Sequence, residues 1–107
     1  MERTIIHEEL KKLVNQIITL VNPLQIVLFG SFARDNEKSC NDIDLLIVMP
    51  DGTHRRKTSQ MIYRSINGVD IPFDIVVTTI SDIEKYKDAP GLIYRTALKE
   101  GKVLYAA

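Results

Sequence analysis

Gly30-Ser31-Phe32-Ala33-Arg34 and, after a polar stretch at residues 35–41, Asp42-Ile43-Asp44-Leu45-Leu46-Ile47-Val48 are the two stretches on which the fold of this chain turns. The first follows Gln25-Ile26-Val27-Leu28-Phe29, a short apolar run that suits a buried strand. Glycine at the end of such a strand permits a tight turn. From Ser31 a helical turn can open, and its unpaired N–H groups together with the serine hydroxyl would cradle an anion. The same pair also fits an ordinary helix N-cap, so alone it does not fix a function. The second stretch holds the most apolar run of the chain and reads as a central strand, closed by the turn signal Pro50-Asp51-Gly52.

The two-residue period of a strand sends Asp42 and Asp44 to one face, about 6.6 Å apart along the backbone. Two carboxylates at the edge of a buried strand repel each other. At 4 Å like charges cost about 1 kcal/mol in water and about 4 kcal/mol at an effective dielectric of about 20. A divalent cation removes that cost. Asp74 lies in another apolar run, Phe73-Asp74-Ile75-Val76-Val77-Thr78, and if that strand pairs beside the second, a third carboxylate joins the cluster. Three acidic oxygen donors suit magnesium, which leaves room for water and substrate phosphates. Taken singly, each aspartate also has a structural reading: a loop cap at Asp42, a strand edge at Asp44, an incidental side chain at Asp74.

Working outward, Ile6, Leu10, Leu13, Val14, Ile17, Ile18 and Val21 recur at helical spacing ahead of Asn22-Pro23, which predicts a first helix. Thr53 is placed to cap a second helix running to Ile66, with Met61, Ile62 and Ile66 inward and Asn67-Gly68 as its stop. Ser81-Asp82-Ile83-Glu84 reads as a capping box for a short helix interrupted by Pro90-Gly91. A last helix is expected over residues 92–100, then a short strand at Lys102-Val103-Leu104-Tyr105. The alternation predicts a mixed α/β domain, a small mixed sheet flanked by helices, spanning residues 1–107 as one unit.

Composition narrows the function. Fourteen Lys plus Arg balance fourteen Asp plus Glu, so the global positive excess that drives non-specific nucleic-acid binding is missing. Arg55, Arg56, Lys57 and Arg64 form the densest basic patch, open to a reading as a phosphate or acidic-partner contact or as a solvated helix face. A single cysteine, Cys40, excludes an internal disulfide, and His7 and His54 have no metal-like spacing with it or with each other. Tyr63, Tyr86, Tyr94 and Tyr105 read as packing residues, with base stacking as the alternative. Without a membrane-length apolar run or a signal-peptide layout at its start, the chain is expected in the cytoplasm.

Gly30-Ser31-Phe32-Ala33-Arg34, Asp42-Ile43-Asp44-Leu45 and Asp74 together resemble the nucleotidyltransferases of the DNA polymerase beta superfamily. More narrowly the chain looks like the minimal nucleotidyltransferases, with their Gly-Ser-x-Ala-Arg-Gly, Ser-Asp-x-Asp-Leu and distal Asp. The stretch from Pro90-Gly91-Leu92 to Gly101 is also typical of them. Asp35 stands where that family usually has glycine and Asn41 where it usually has serine.

The resemblance implies a polymerase-beta-like fold and transfer of a nucleoside monophosphate from a triphosphate, ATP above all, to a hydroxyl, with pyrophosphate leaving. It implies that Asp42 and Asp44 hold two magnesium ions, that Asp74 binds one of them and takes the hydroxyl proton, and that Gly30 and Ser31 hold the triphosphate. Arg34 is either a phosphate contact or a surface salt-bridge partner. Small proteins of this type serve as antitoxins that adenylylate a tyrosine of a HEPN-domain toxin, so such a toxin is the expected partner. The competing readings are transfer to a small molecule or an RNA end, and a non-enzymatic module that silences its partner by occlusion.

Overall fold

The computed structural model describes residues 3–30, 43–86 and 101–107, with side chains from His7 onward. Helix α1, Arg3–Val21, leads into strand β1, Gln25–Phe29; then come β2, Ile43–Met49, helix α2, Arg55–Ser65, β3, Phe73–Thr79, helix α3, Ile80–Tyr86, and β4, Lys102–Ala106. The four strands lie in the order β3-β2-β1-β4. Strand β1 runs antiparallel to both β2 and β4, whereas β2 and β3 are parallel. This is the mixed α/β sheet that the alternation of elements predicts.

The period of two along each strand sorts the sheet into two faces. Ile26, Leu28, Ile43, Leu45, Ile47, Ile75 and Val77 point to one face and are covered by Leu10, Leu13 and Ile17 of α1 and Ile62 of α2. Val27, Phe29, Leu46 and Val48 form a second buried cluster on the other face, joined by Val76 and by Ile83 of α3. Each such side chain, withdrawn from water, contributes about 1.5–3 kcal/mol before the entropy of ordering it is subtracted. Residues between those two clusters and the strand ends are therefore free to carry polar groups.

Helix α1 stops where the sequence predicts. Asn22 takes the left-handed conformation, φ 49°, and its N–H returns to the Ile18 carbonyl at 3.0 Å. Two other helix starts differ from expectation. The cap of α2 is His54, not Thr53: its Nδ1 accepts from the Lys57 N–H at 3.2 Å. The Thr53 hydroxyl instead donates to the Pro50 carbonyl at 2.7 Å and closes the preceding turn. Met61, expected inward, is 47% exposed, because one step of about 100° carries it off the face that Ile62 buries completely.

Helix α3 begins at Ile80 directly from β3, and the Thr79 hydroxyl caps it by accepting from the Asp82 N–H at 3.3 Å. Ser81, the expected cap, is taken from outside: its N–H and Oγ donate to the Asp51 carboxylate at 2.9 and 2.7 Å. Those two bonds hold the Asp51 carboxyl below its ordinary range. The helical turn expected from Ser31, the Pro90-Gly91 break and the helix expected over residues 92–100 lie outside the described residues.

Candidate active site

The site is built at the junction of β1, β2 and β3. Strand β1 ends at Phe29, which pairs with Asp44 across the antiparallel ladder. The next residue, Gly30, sits at φ +80°, in the region L side chains rarely enter, and a Cβ there would run into the Asp44 carboxylate. Glycine is therefore required twice over, by backbone conformation and by the space the carboxylate occupies. The chain passes close over an acidic oxygen as it leaves the strand.

On the other side of β2, the parallel register sets Asp44 directly against Asp74. In-register residues of neighbouring strands share a face, and the strands are about 4.8 Å apart. Both aspartates point away from α1 and α2, at the start of the apolar row that Leu46, Val48 and Val76 continue. Asp44 is half-buried and Asp74 exposed. Backbone pairing thus sets the two acidic residues abreast on neighbouring strands.

Of the residues singled out by sequence, the structure brings Gly30, Asp44 and Asp74 together; Asp42, Ser31 and Arg34 lie outside the described residues. Among the described residues no group of three or more His, Cys, Asp or Glu side chains forms a metal-binding set. The two that do meet are hard oxygen donors, partly open to solvent, with a glycine cradle that any Cβ would fill. That donor chemistry fits a divalent cation whose remaining positions are filled by water or phosphate oxygens.

Two residues of α1 contribute in a way the sequence reading misses. The Glu9 carboxylate, 6% exposed, accepts from the Asp70 N–H at 2.8 Å and from Lys12 Nζ at 3.0 Å. The backbone bond and the ammonium hold its carboxyl below the ordinary range. Two turns on, Gln16 grips both sides of Asn67, donating to its carbonyl at 2.7 Å and accepting from its N–H at 2.9 Å. Together they fix the segment that feeds β3, and the Ile43 N–H donates to the Pro72 carbonyl at 3.0 Å, locking the start of the β2–β3 pair. The signal was present: Glu9, Leu13 and Gln16 follow helical spacing, so polar residues occupy places on a buried stripe.

Of the basic patch, Arg64 sits in the last turn of α2, whereas Arg55, Arg56 and Lys57, in its first turn, belong to the opposite end of β2. Arg55 pairs with Asp82 at 3.0 Å, and Arg56 and Lys57 are exposed beside it. From Asp44 to Met49 the strand extends about 16 Å, so these cations do not neutralise the carboxylate pair. His54 serves as a helix cap, in keeping with its lack of metal spacing. Tyr63 packs, its ring stacked on Phe73 with centroids 5.6 Å apart and planes 8° from parallel. Lys85 Nζ lies over the Tyr86 ring at 5.2 Å.

The sheet thus has α1 and α2 against one face and α3 against the other, with a glycine turn and two acidic residues in register at one strand junction. The profile of the family described as nucleotidyltransferase domain matches residues 8–104, and the chain belongs to that family. Among solved structures it is similar to a candidate nucleotidyltransferase from Sulfolobus solfataricus, determined at 1.40 Å. That match has 19% identity and a TM-score of 0.60 over 99% of this chain and 90% of the other, a likeness of fold. No curated protein matches it. Among the described residues no helix is long and apolar enough to cross a membrane.

Proposed function

We propose that this member of the nucleotidyltransferase family transfers AMP from ATP, with magnesium, to a hydroxyl of a separate protein, a tyrosine of a HEPN-domain toxin, and thereby acts as an antitoxin. The observation that carries the catalytic part of this reading is the in-register pair Asp44 and Asp74 beside the left-handed Gly30. The identity of the partner rests on the resemblance to minimal nucleotidyltransferases.

In this reading Asp42, Asp44 and Asp74 hold two magnesium ions, while Gly30 and Ser31, with Arg34, hold the triphosphate. Bound magnesium would neutralise the phosphates and lower the pKa of the acceptor hydroxyl. Glycine at position 30 keeps the backbone close to the carboxylates, so a triphosphate cradled there has its α-phosphorus near the acids. Asp74 is the more exposed of the described pair, the carboxylate an incoming hydroxyl can reach, and it takes the hydroxyl proton as the oxygen attacks. The bond from the α-phosphorus to its bridging oxygen breaks and pyrophosphate leaves. The exposed position of Asp74 suits a side chain presented by a docked protein, whose surface would exclude water from the reaction.

The test is incubation of the chain and the protein that co-purifies with it in magnesium and ATP labelled at the α-phosphate. Label on a partner tyrosine, lost with Asp44→Asn, supports the reading. Label in a small-molecule or RNA product redirects it to another acceptor. Partner inhibition that survives Asp44→Asn, with no label transferred, would establish occlusion instead.

A further inference from the structure

Among the described residues strand β3 is an edge of the sheet, with no strand on its outer flank, and Asp74 is only its second residue. Ends of edge strands fray, since their outward N–H and C=O groups lack ladder partners. A carboxylate whose spacing from Asp44 matters is badly placed there unless something holds the outer flank. Tyr63 of α2 does so at both residues that border Asp74. Its hydroxyl oxygen accepts from the outward N–H of Ile75 at 2.7 Å, and its ring stacks on Phe73 at 5.6 Å.

The grip is anchored. The preceding residue, Ile62, is completely buried in the main core and fixes that part of α2 against the sheet. Phe73 and Ile75 point to the helix-covered face, whereas Asp74, one step out of phase, points to the other. Tyr63 therefore acts from behind the strand. On the inner flank, β2 supplies the in-register pairing of Asp44 with Asp74.

We propose that Tyr63 is a positioning residue for Asp74: by clamping Phe73 and Ile75 it holds the edge strand at the spacing from Asp44 that a shared divalent cation requires. This rests on the reading of Asp74 as a metal-binding, proton-accepting group, and the experiment separates the two. Tyr63→Phe keeps the stacked ring and removes only the hydroxyl acceptor. It should lower kcat about threefold to tenfold, while KM for ATP changes by less than about twofold, because the triphosphate is held at Gly30 rather than at β3.

In the nucleotide-free protein the same variant should weaken manganese binding, read by electron paramagnetic resonance, about threefold, and should speed amide exchange at Ile75. Phe73→Leu, which keeps the hydroxyl and loses the stack, should shift all three readouts in the same direction. A Tyr63→Phe protein with a lower melting temperature but unchanged kcat and manganese affinity would overturn the inference, leaving Tyr63 as packing alone. Asp74→Asn is assayed beside it: wild-type turnover and manganese binding in that variant would instead overturn the reading of Asp74 itself.

Discussion

The two ends of β2 handle acidic residues in opposite ways. Past its C-terminal end, Asp51 receives two donors from Ser81 and Asp82 an Arg55 guanidinium at 3.0 Å. At its N-terminal end, the neighbour in register with Asp44 is another carboxylate, Asp74. The first end is internally complementary and joins α2, α3 and the intervening turn into one block. The second sets two acidic residues in register, a pair that a bound cation would stabilise. The two ends thus differ in what stands in register or in contact with the acid: hydroxyl, N–H and guanidinium donors at one, a second acidic residue at the other.

The sharpest way to break this contrast is mutation at each end. Asp44→Asn should reduce transfer of the nucleotide label by at least about a thousandfold, as loss of an essential charge in a metal-assisted site does. Asp51→Asn should leave transfer within about twofold and lower the melting temperature instead. Equal loss of activity in both would dissolve the distinction.

Thermal shift sharpens it further. Magnesium with ATP at about 100 times its dissociation constant should stabilise the protein by about 2.7 kcal/mol. The Asp44→Asn/Asp74→Asn double variant should lose that response. A double variant that keeps the full response would place the cation elsewhere.

Glycines supply a matched pair as well. Gly30 and Gly52 both have positive φ, +80° and +91°, but only at Gly30 does an added Cβ meet anything. Gly52→Ala should cost about 1–2 kcal/mol of stability for the left-handed backbone alone, with activity kept. Gly30→Ala should cost more than that and lose activity, since the methyl displaces the Asp44 carboxylate. Denaturant melts with a label-transfer assay decide it.

The smallest effect is on acid stability. Glu9 and Asp51 have carboxyls held below their ordinary values, so the folded state binds protons less readily than the unfolded chain. Their contribution is complete above the ordinary carboxylate range and is lost as pH falls through the lowered folded values. Stability measured from about pH 6 down to about pH 3 should therefore fall less steeply in Glu9→Gln than in the wild type, from a lower starting point.

How much of this was legible in sequence depends on the range of the interaction. Helix α1, the strands and the face that Asp44 and Asp74 occupy follow from local periodicity, and so were readable. The caps at His54 and Thr79 were not, because Thr53 and Ser81 carry equally good hydroxyls that were drawn to Pro50 and Asp51. Tyr63 read as packing, which it is; its hydroxyl's partner is a backbone N–H that exists only once β3 becomes an edge. Strand order and the parallel register had no local signal, since they depend on the α2 crossover and on Glu9 and Gln16 reaching residues far along the chain.

The in-register pairing of β2 with β3 has a consequence for the quality of any preparation of this protein. A slip of β3 by one residue would turn Asp74 toward Ile62 and the helix-packed core, and send Phe73 or Ile75 out into water. Such a molecule would bury an ionised carboxylate among aliphatic side chains and would not survive as a folded species. Misregistered protein is thus removed by its own instability rather than retained as a soluble, inactive fraction. Specific activity should stay constant from batch to batch even where yield varies.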